Sequence, residues 1–421
     1  MKVLIISHNP LCNYNNMGKT LVSLFSSFRK ETLCQMYIHP SIPNVDACNS
    51  YFRITDSDMI KKIKNIKSVP GNEVRCDEKL LPDKQCAKRS GGEQPFKRFC
   101  REFIWKSRAW DDCNLHSWIA REKPSVIFVA PGDACFLYDI AMTVSEKYKI
   151  PIVTYLCDDF YYKKVGLNPF ATVRYKMIKN KFRQLLSKSA CAITICDEYA
   201  ERIAKDFNIK TETVMTGISS VAPAMKEINE LKCIVYAGNL GWGRYLSIAN
   251  FGKALDTYNR TNNKNIKLKV YSGEINSKAL KSFKGVGSLD FCGFVNGEEY
   301  NKAIMEADAL LFTESFCRKY IEATRYSVST KIPEYLASGI PIIAYAPSEI
   351  ASMRYLKSKQ CAVCFDNEEL SLDNLSEKIS KQSAVRNQLT VADKNHSSYN
   401  NSKKIFCLLQ NISDCKDRIN G

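Results

Sequence analysis

The chain has 421 residues, enough for two or three domains of ~150 residues, and its 45% apolar and 25% charged content excludes disorder or a collagen-like repeat as a description of the whole. With 61 Lys and Arg against 44 Asp and Glu the formal charge is +17, which favours nucleic acid, anionic lipid or phosphorylated substrates as partners. The longest apolar runs, such as Val126–Ala130, fall far short of the ~18 residues that cross a bilayer, and Met1-Lys2 leads straight into a strand-like run without a signal-peptide core, so a cytosolic chain with reduced thiols is expected. Most of the 18 cysteines sit singly in apolar patterns, as Cys191 and Cys233 do. The one CxxC, Cys361 to Cys364, lacks the second pair a structural zinc would want, so no metal or other cofactor is expected.

In chain order, Lys2-Val-Leu-Ile-Ile-Ser7 is a continuous apolar run of the kind that forms a parallel strand buried on both faces. Asn13 to Thr20 reads as a turn entering a helix. Further strands are expected at Val126 to Ala130, Ile152 to Leu156 and Ala192 to Cys196, with helices at Leu137 to Tyr148 and Tyr175 to Ser187. A second series runs through Cys233 to Gly238, Leu268 to Ser272, Leu289 to Phe291, Ala309 to Thr313 and Ile340 to Ala344. Strands alternating with helices imply right-handed crossovers and open parallel sheets. The polar, Pro223-containing stretch Gly217 to Glu230 reads as a linker. This places an amino-terminal Rossmann-like domain at 1–220, a carboxyl-terminal one at 221–375, and exposed polar terminal helices at 376–421 that return to the first domain. Ligands of two doubly wound halves are expected in the cleft between them, outside the carboxyl ends of the strands.

The first turn, Asn13-Tyr14-Asn15-Asn16-Met17-Gly18-Lys19-Thr20, looks like a phosphate-binding loop, but Asn13 stands where such a loop needs its first glycine. Gly18 there serves either turn chemistry or backbone approach to a ligand. A nucleotide triphosphatase built on Gly18-Lys19-Thr20, or a non-catalytic nucleotide- or nucleic-acid-binding protein, is one reading of the chain. In the second half, Cys233 to Ser247 gives a strand, a glycine-rich turn through Gly238 and Asn239, the cation Arg244 and a helix. Further on, Ser329 or Thr330 is a natural N-cap, Pro333 fits the first helical turn, and the free amides there, with Lys331 beside them, make an anion site. Glu334, one turn on, can accept both hydroxyls of a ribose, or it is a solvated capping carboxylate.

Tyr236-Ala-Gly238, Phe291-Cys-Gly-Phe-Val295 with Glu298 and Glu299, Ala307-Asp308, and Lys331 through Pro341 together resemble the retaining group 1, family 4-type, glycosyltransferases of the GT-B fold, over roughly residues 1 to 365. The Ser329-Thr-Lys-Ile-Pro-Glu-Tyr-Leu-Ala-Ser-Gly339 segment is similar to that of the bacterial surface-polysaccharide members. The resemblance implies two Rossmann-like domains facing a central cleft. A nucleoside-diphosphate sugar would be bound by Gly18, Gly238, Asn239, Arg244, Phe294, Ser329, Thr330, Lys331 and Glu334. The acceptor, in the amino domain, would be a lipid-linked glycan used in capsule, exopolysaccharide or O-antigen synthesis. Arg244 and Lys331 would stabilise the departing diphosphate, with Asp133 and Asp159 as acceptor-site groups. Tyr326 stands where the family's first Glu usually touches the donor sugar, and Asn239 where it usually has Arg.

Asp133, and Asp158 with Asp159, follow the strands at Val126 and Ile152, where a carboxylate could orient or deprotonate an acceptor hydroxyl or simply close a turn. Basic charge is concentrated. Tyr161 to Lys188 holds eight Lys or Arg and no acid, and Lys84 to Arg108 another eight, laced with Phe96, Phe99, Phe103 and Trp105, with Trp110 just beyond. Such segments suit the anionic inner face of a plasma membrane, or form a solvated basic face. No nucleic-acid-binding module is recognised, and none is expected as partner.

Overall fold

The computed structural model describes residues 1–78, 95–163, 168–273, 277–295, 297–383 and 387–420. The chain divides into two compact units, one formed by Met1–Gly217 with Ser398–Gly421 and the other by Ile218–Ser397.

The first unit is built on strands β1 (Val3–Ser7), β2 (Leu33–Tyr37), β3 (Ser50–Arg53), β4 (Asn72–Val74), β5 (Val126–Ala130), β6 (Ile152–Leu156), β7 (Ser189–Thr194) and β8 (Thr211–Thr213). Their order in the sheet is β4-β3-β2-β1-β5-β6-β7-β8. The β3–β4 pair alone is antiparallel. The chain leaves β1 toward one edge and then crosses to β5 on the other side, so the switch point of a doubly wound sheet lies between the ends of β1 and β5. β1, β2, β5 and β6 are buried along their full lengths, as expected of strands covered on both faces.

The second unit carries β9 (Cys233–Ala237), β10 (Lys267–Tyr271), β11 (Leu289–Gly293), β12 (Ala309–Thr313), β13 (Ile342–Tyr345) and β14 (Val363–Phe365). The order is β11-β10-β9-β12-β13-β14, parallel throughout, with the switch point between β9 and β12. Both units are therefore doubly wound α/β sheets, the fold class expected from the alternation of strands and helices.

The strand β2 escapes a reading of apolar runs because Gln35 stands at its centre. That side chain is fully buried: it donates to Ser7 Oγ at 2.8 Å and to Asn9 O at 3.1 Å, and accepts from Leu11 N–H at 2.9 Å. A satisfied amide of this kind costs little in a core, and here it ties β2 to the loop after β1.

The terminal helices are not the exposed appendages expected of their polar composition. The helix Asn387–His396 buries Leu389, Val391 and Ala392, and Gln388 Nε2 donates to the carbonyls of Tyr335, Leu336 and Ile340 in the second unit. The helix Ser398–Asn420 belongs to the first unit, where Ile405, Leu408 and Leu409 join its core. One narrow apolar stripe suffices to dock a helix, and averaging over all its residues hides the stripe.

Candidate functional site

In the second unit the residues after β9 and β12 meet across the switch point. β9 is followed directly by Gly238, whose N–H donates to Tyr271 O at 2.8 Å. A Cβ at Gly238 would lie 1.4 Å from Lys331 Nζ, so only glycine lets the ammonium sit against the backbone there. Lys331 opens the helix Lys331–Ala337, and its Nζ lies 4.8 Å from the centre of the Tyr236 ring. The side chain is half-buried. Burial first, and the Arg244 guanidinium second, push its amine down to about 8, against the pull of Glu314 and Glu334. Among the described residues no carboxylate forms an ion pair with it. A partly desolvated cation with no carboxylate paired to it is a ready receptor for an anion.

Arg244 is held differently. It begins the helix Arg244–Asn262, and its Nε and one terminal nitrogen each donate to Glu314 at 2.8 Å. Glu314 follows β12, is buried, and its carbonyl accepts from Ser247 Oγ at 2.9 Å. The bidentate pair fixes the plane of the guanidinium and offsets its charge. Glu314 is absent from the candidates read in the sequence. An isolated acid directly after a buried strand is the signal that could have found it.

Glu334 is exposed and accepts from Tyr300 OH at 3.2 Å, Tyr300 coming from the helix Gly297–Glu306 that follows β11. Burial and the neighbouring carboxylate hold the Tyr300 hydroxyl well above its usual range, so it stays a donor. Asn239 shapes the turn after β9: its Oδ1 accepts from Gly241 N–H and its carbonyl from Tyr236 OH at 2.6 Å. Phe294 is exposed after β11 and packs on Gly273.

The helix start at Ser329 and Thr330 offers fewer amides than expected. Thr330 is already helical and caps nothing. Ser329 takes the Lys331 N–H on its hydroxyl at 3.4 Å and the Ile332 N–H on its carbonyl at 3.0 Å, and Pro333 has no N–H. The positive charge at this turn is therefore carried by the Lys331 side chain.

Gly18, in the first unit, is enclosed by its own chain. Its N–H is taken by the Asn15 cap at 2.7 Å, and a Cβ there would lie 2.2 Å from Cys12 Sγ and 2.8 Å from Cys12 O. The helix Asn16–Leu24 thus needs glycine to pack on the preceding loop, and the Gly18 amide is not available to a phosphate.

The acidic candidates Asp133 and Asp159 do come together, around Lys163. Asp133 binds the guanidinium groups of Arg98 and Arg174, each at 3.2 Å, and burial is outweighed by Arg174, Arg98 and Lys163, which hold its carboxyl below the ordinary range. Asp159 is buried and accepts from the N–H groups of Tyr161 at 2.9 Å and Tyr162 at 2.7 Å. Burial pushes its carboxyl up despite those bonds. Asp158 is exposed. Lys163 faces all three carboxylates, and burial lowers its amine. His8, after β1, joins the same rim with its imidazole pushed down, first by burial and then by Arg101. Its Nδ1 lies 3.2 Å from Asn9 Oδ1. The neutral ring that results is a better proton acceptor than the paired Asp133.

The two basic segments meet as well. Phe96 and Phe99 of the helix Pro95–Lys106 pack against Phe170 of the helix Pro169–Lys188, with ring centres 5.1 and 5.5 Å apart. Phe96, Phe103, Phe170 and Val173 remain exposed beside Lys97, Lys106 and Lys176. Trp105 and Trp110, in contrast, are fully buried. Trp105 stacks on Phe136 at 4.2 Å and donates to Asp56 at 2.7 Å, so its place is in the core. Residues 84–94 and 164–167 of these segments lie outside the described residues. Among the described residues no helix is long and apolar enough to cross a membrane, and no three His, Cys, Asp or Glu side chains cluster as a metal would require.

No protein-family model matches the chain, and no curated protein matches it in sequence. Solved structures match its fold along nearly the whole length. An α,α-trehalose 6-phosphate synthase from Burkholderia multivorans is 9% identical with a TM-score of 0.61, over 98% of this chain and 99% of that one. A trehalose-6-phosphate protein from E. coli bound with UDP-2-fluoro glucose is 11% identical with a TM-score of 0.59, over 98% and 99%. WaaG, a glycosyltransferase involved in lipopolysaccharide biosynthesis, is 12% identical with a TM-score of 0.54, over 97% and 99%. Two doubly wound units, each with the strand order that places a switch point beside its first strand, together with these matches give the chain the GT-B fold.

Proposed function

We propose that the protein is a retaining glycosyltransferase that moves a hexose from a nucleoside-diphosphate sugar to a hydroxyl of a lipid-linked glycan, in the synthesis of a bacterial capsule, exopolysaccharide or O-antigen. The observation that carries this reading is the Lys331 ammonium, set against Gly238 at the switch point of the second unit with Glu334 one turn further along the same helix. The diphosphate meets Lys331, and Glu334 takes the ribose hydroxyls. The fold is shared with a protein holding UDP-2-fluoro glucose and with a synthase solved with glucose-6-phosphate, which supports a nucleotide-sugar donor and a sugar acceptor. No metal is needed where the leaving diphosphate is met by fixed cations.

Thermal shift against a panel of nucleoside diphosphates and nucleotide sugars identifies the donor, since a ligand that binds only the folded state raises the melting temperature by mass action. Glu334→Gln is expected to bind the cognate diphosphate about tenfold more weakly, by loss of charge-assisted bonds to the ribose. Calorimetry reads this directly, and unchanged affinity removes Glu334 from the site.

The acceptor's lipid places the enzyme at the cytoplasmic face of the plasma membrane. The exposed Phe96, Phe103 and Phe170 beside Lys97, Lys106 and Lys176 supply the docking face, each cation near anionic lipid contributing about 1 kcal/mol. Vesicles containing phosphatidylglycerol are expected to float the protein at low salt, and zwitterionic vesicles to leave it in solution. Changing Lys97, Lys106 and Lys176 to Ser should abolish flotation. Arg98 and Arg174 are kept, because they hold Asp133. If the triple variant floats as well as the parent, the face is misplaced.

A further inference from the structure

Four tryptophans occur in the chain. Trp105, Trp110 and Trp118 lie in the first unit at 0–1% exposure, whereas Trp242, in the turn between β9 and the helix Arg244–Asn262, is 54% exposed. Its backbone lies in the left-handed region at φ 57°, which a bulky side chain seldom occupies, and Gly243 follows at φ 76°. The pair of left-handed residues seats the turn on the loop after β12. A Cβ on Gly243 would lie 2.6 Å from Ser315 Oγ and 2.8 Å from the Tyr320 ring. The Trp242 and Tyr320 rings meet nearly edge to face, with centres 6.1 Å apart. An exposed indole braced by a half-buried tyrosine is thus fixed at the switch point itself, one residue from Gly243 and two from Arg244.

The charged groups of the site connect to it pair by pair. Tyr300 bonds Glu334, the field of Glu334 reaches Lys331, and Lys331 feels Arg244 and Glu314. Arg244 is forked onto Glu314, and Glu314 leads through Ser315 to Tyr320 and Trp242. With the ribose at Glu334 and the diphosphate at Lys331, the group carried beyond the diphosphate arrives at the aromatic pair. Phe294 is no competitor for that place: it follows β11, two strands from β9, on the nucleoside side.

We propose that Trp242, braced by Tyr320, is the platform on which the pyranose ring of the donor rests, making it a specificity-determining residue of the second unit. This inference rests on the nucleotide-sugar reading of the site. The C–H face of a pyranose is apolar and slightly positive, and the face of an indole is apolar and negative, so the two stack with little desolvation cost. The left-handed turn holds the ring in place before the ligand arrives, which reduces the ordering cost of binding.

The test uses the full chain with UDP-glucose, UDP-N-acetylglucosamine, GDP-mannose and ADP-glucose, each beside its bare diphosphate. The change of indole emission that is lost in Trp242→Phe reports Trp242, since that variant keeps the three buried tryptophans of the first unit. The sugar nucleotide that stabilises the protein is expected to change the emission more than its diphosphate does. Trp242→Ala should bind that sugar nucleotide roughly tenfold more weakly while binding the diphosphate as the parent does. Trp242→Phe should keep most of the affinity. Trp242→Gly, which suits the left-handed backbone, should melt no lower than the parent, separating loss of contact from loss of fold. Equal affinity of Trp242→Ala for the sugar nucleotide, or an equal loss for diphosphate and sugar nucleotide, overturns the platform while leaving the donor site standing. Failure of the parent to bind any of the diphosphates or sugars counts against the donor site, and this inference falls with it.

Discussion

Lys331→Ala is expected to lower turnover of the nucleotide sugar by ~10² or more at saturating donor, because the charge that grows on a leaving diphosphate is met by this ammonium more strongly in the transition state than in the ground state. The side chain is poised for that role by its surroundings. It lies against the Gly238 backbone and the Tyr236 ring, with its amine pushed down to about 8, chiefly by burial and then by Arg244. A bound diphosphate, fully ionised above pH 7, favours the charged form and raises that value, so binding takes up a proton wherever the free amine is partly neutral. Affinity for the diphosphate should therefore be highest near pH 7 and fall as pH rises through about 8. Calorimetry at pH 7 and pH 9, in two buffers of different ionisation enthalpy, reads both the fall and the proton. Lys331→Arg, always charged, should bind with a flat profile even if its longer fork costs turnover. A parent protein whose affinity is the same at pH 7 and 9 would show that the amine does not meet the phosphates.

The doubly wound units were legible because their central strands are short apolar runs separated by helices, the pattern of parallel strands buried on both faces. What escaped were strands carrying a polar residue whose partner lies far off in sequence: Gln35 reads as a surface residue until Ser7, Asn9 and Leu11 are seen around it. The same holds for the site. Lys331 and Glu334 stand in a patterned segment at a helix start and could be picked out by spacing. Glu314 in the loop after β12, Tyr300 in the helix after β11 and Trp242 in the turn after β9 are brought to one end of the fold only by the sheet topology, and of the three only Glu314 carries a local signal, an isolated acid directly after a buried strand. Gly18 shows the converse. Its neighbourhood imitates a phosphate loop, yet its amide is already bonded to Asn15 and Cys12 packs against its α-carbon. Asp133 likewise follows a strand where an acceptor base could stand, but two guanidinium groups already occupy it.

Arg244 and Glu314 give the second large effect, and here stability and chemistry separate. Both side chains are largely withdrawn from water, at 19% and 7% exposure, and joined by two bonds of 2.8 Å. Arg244→Ala strands the buried Glu314 carboxylate without a partner, which typically costs about 3 kcal/mol or more, and a melting temperature several degrees below the parent is expected. It should also lower turnover by ~10², since a cation that helps meet the diphosphate is gone. Melting loss alone could be mistaken for the whole effect. The double variant Arg244→Ala with Glu314→Gln removes the stranded charge and should recover most of the melting temperature while turnover stays low. Glu314→Gln alone leaves Arg244 less neutralised and should bind the diphosphate more tightly than the parent, with a guanidinium held by one acceptor instead of two. If turnover in the double variant returns along with stability, the pair only fastens the turn after β9 to the end of β12. If it does not, the Arg244 guanidinium itself meets the diphosphate, and its pairing with Glu314 supplies the stability that the single variant loses.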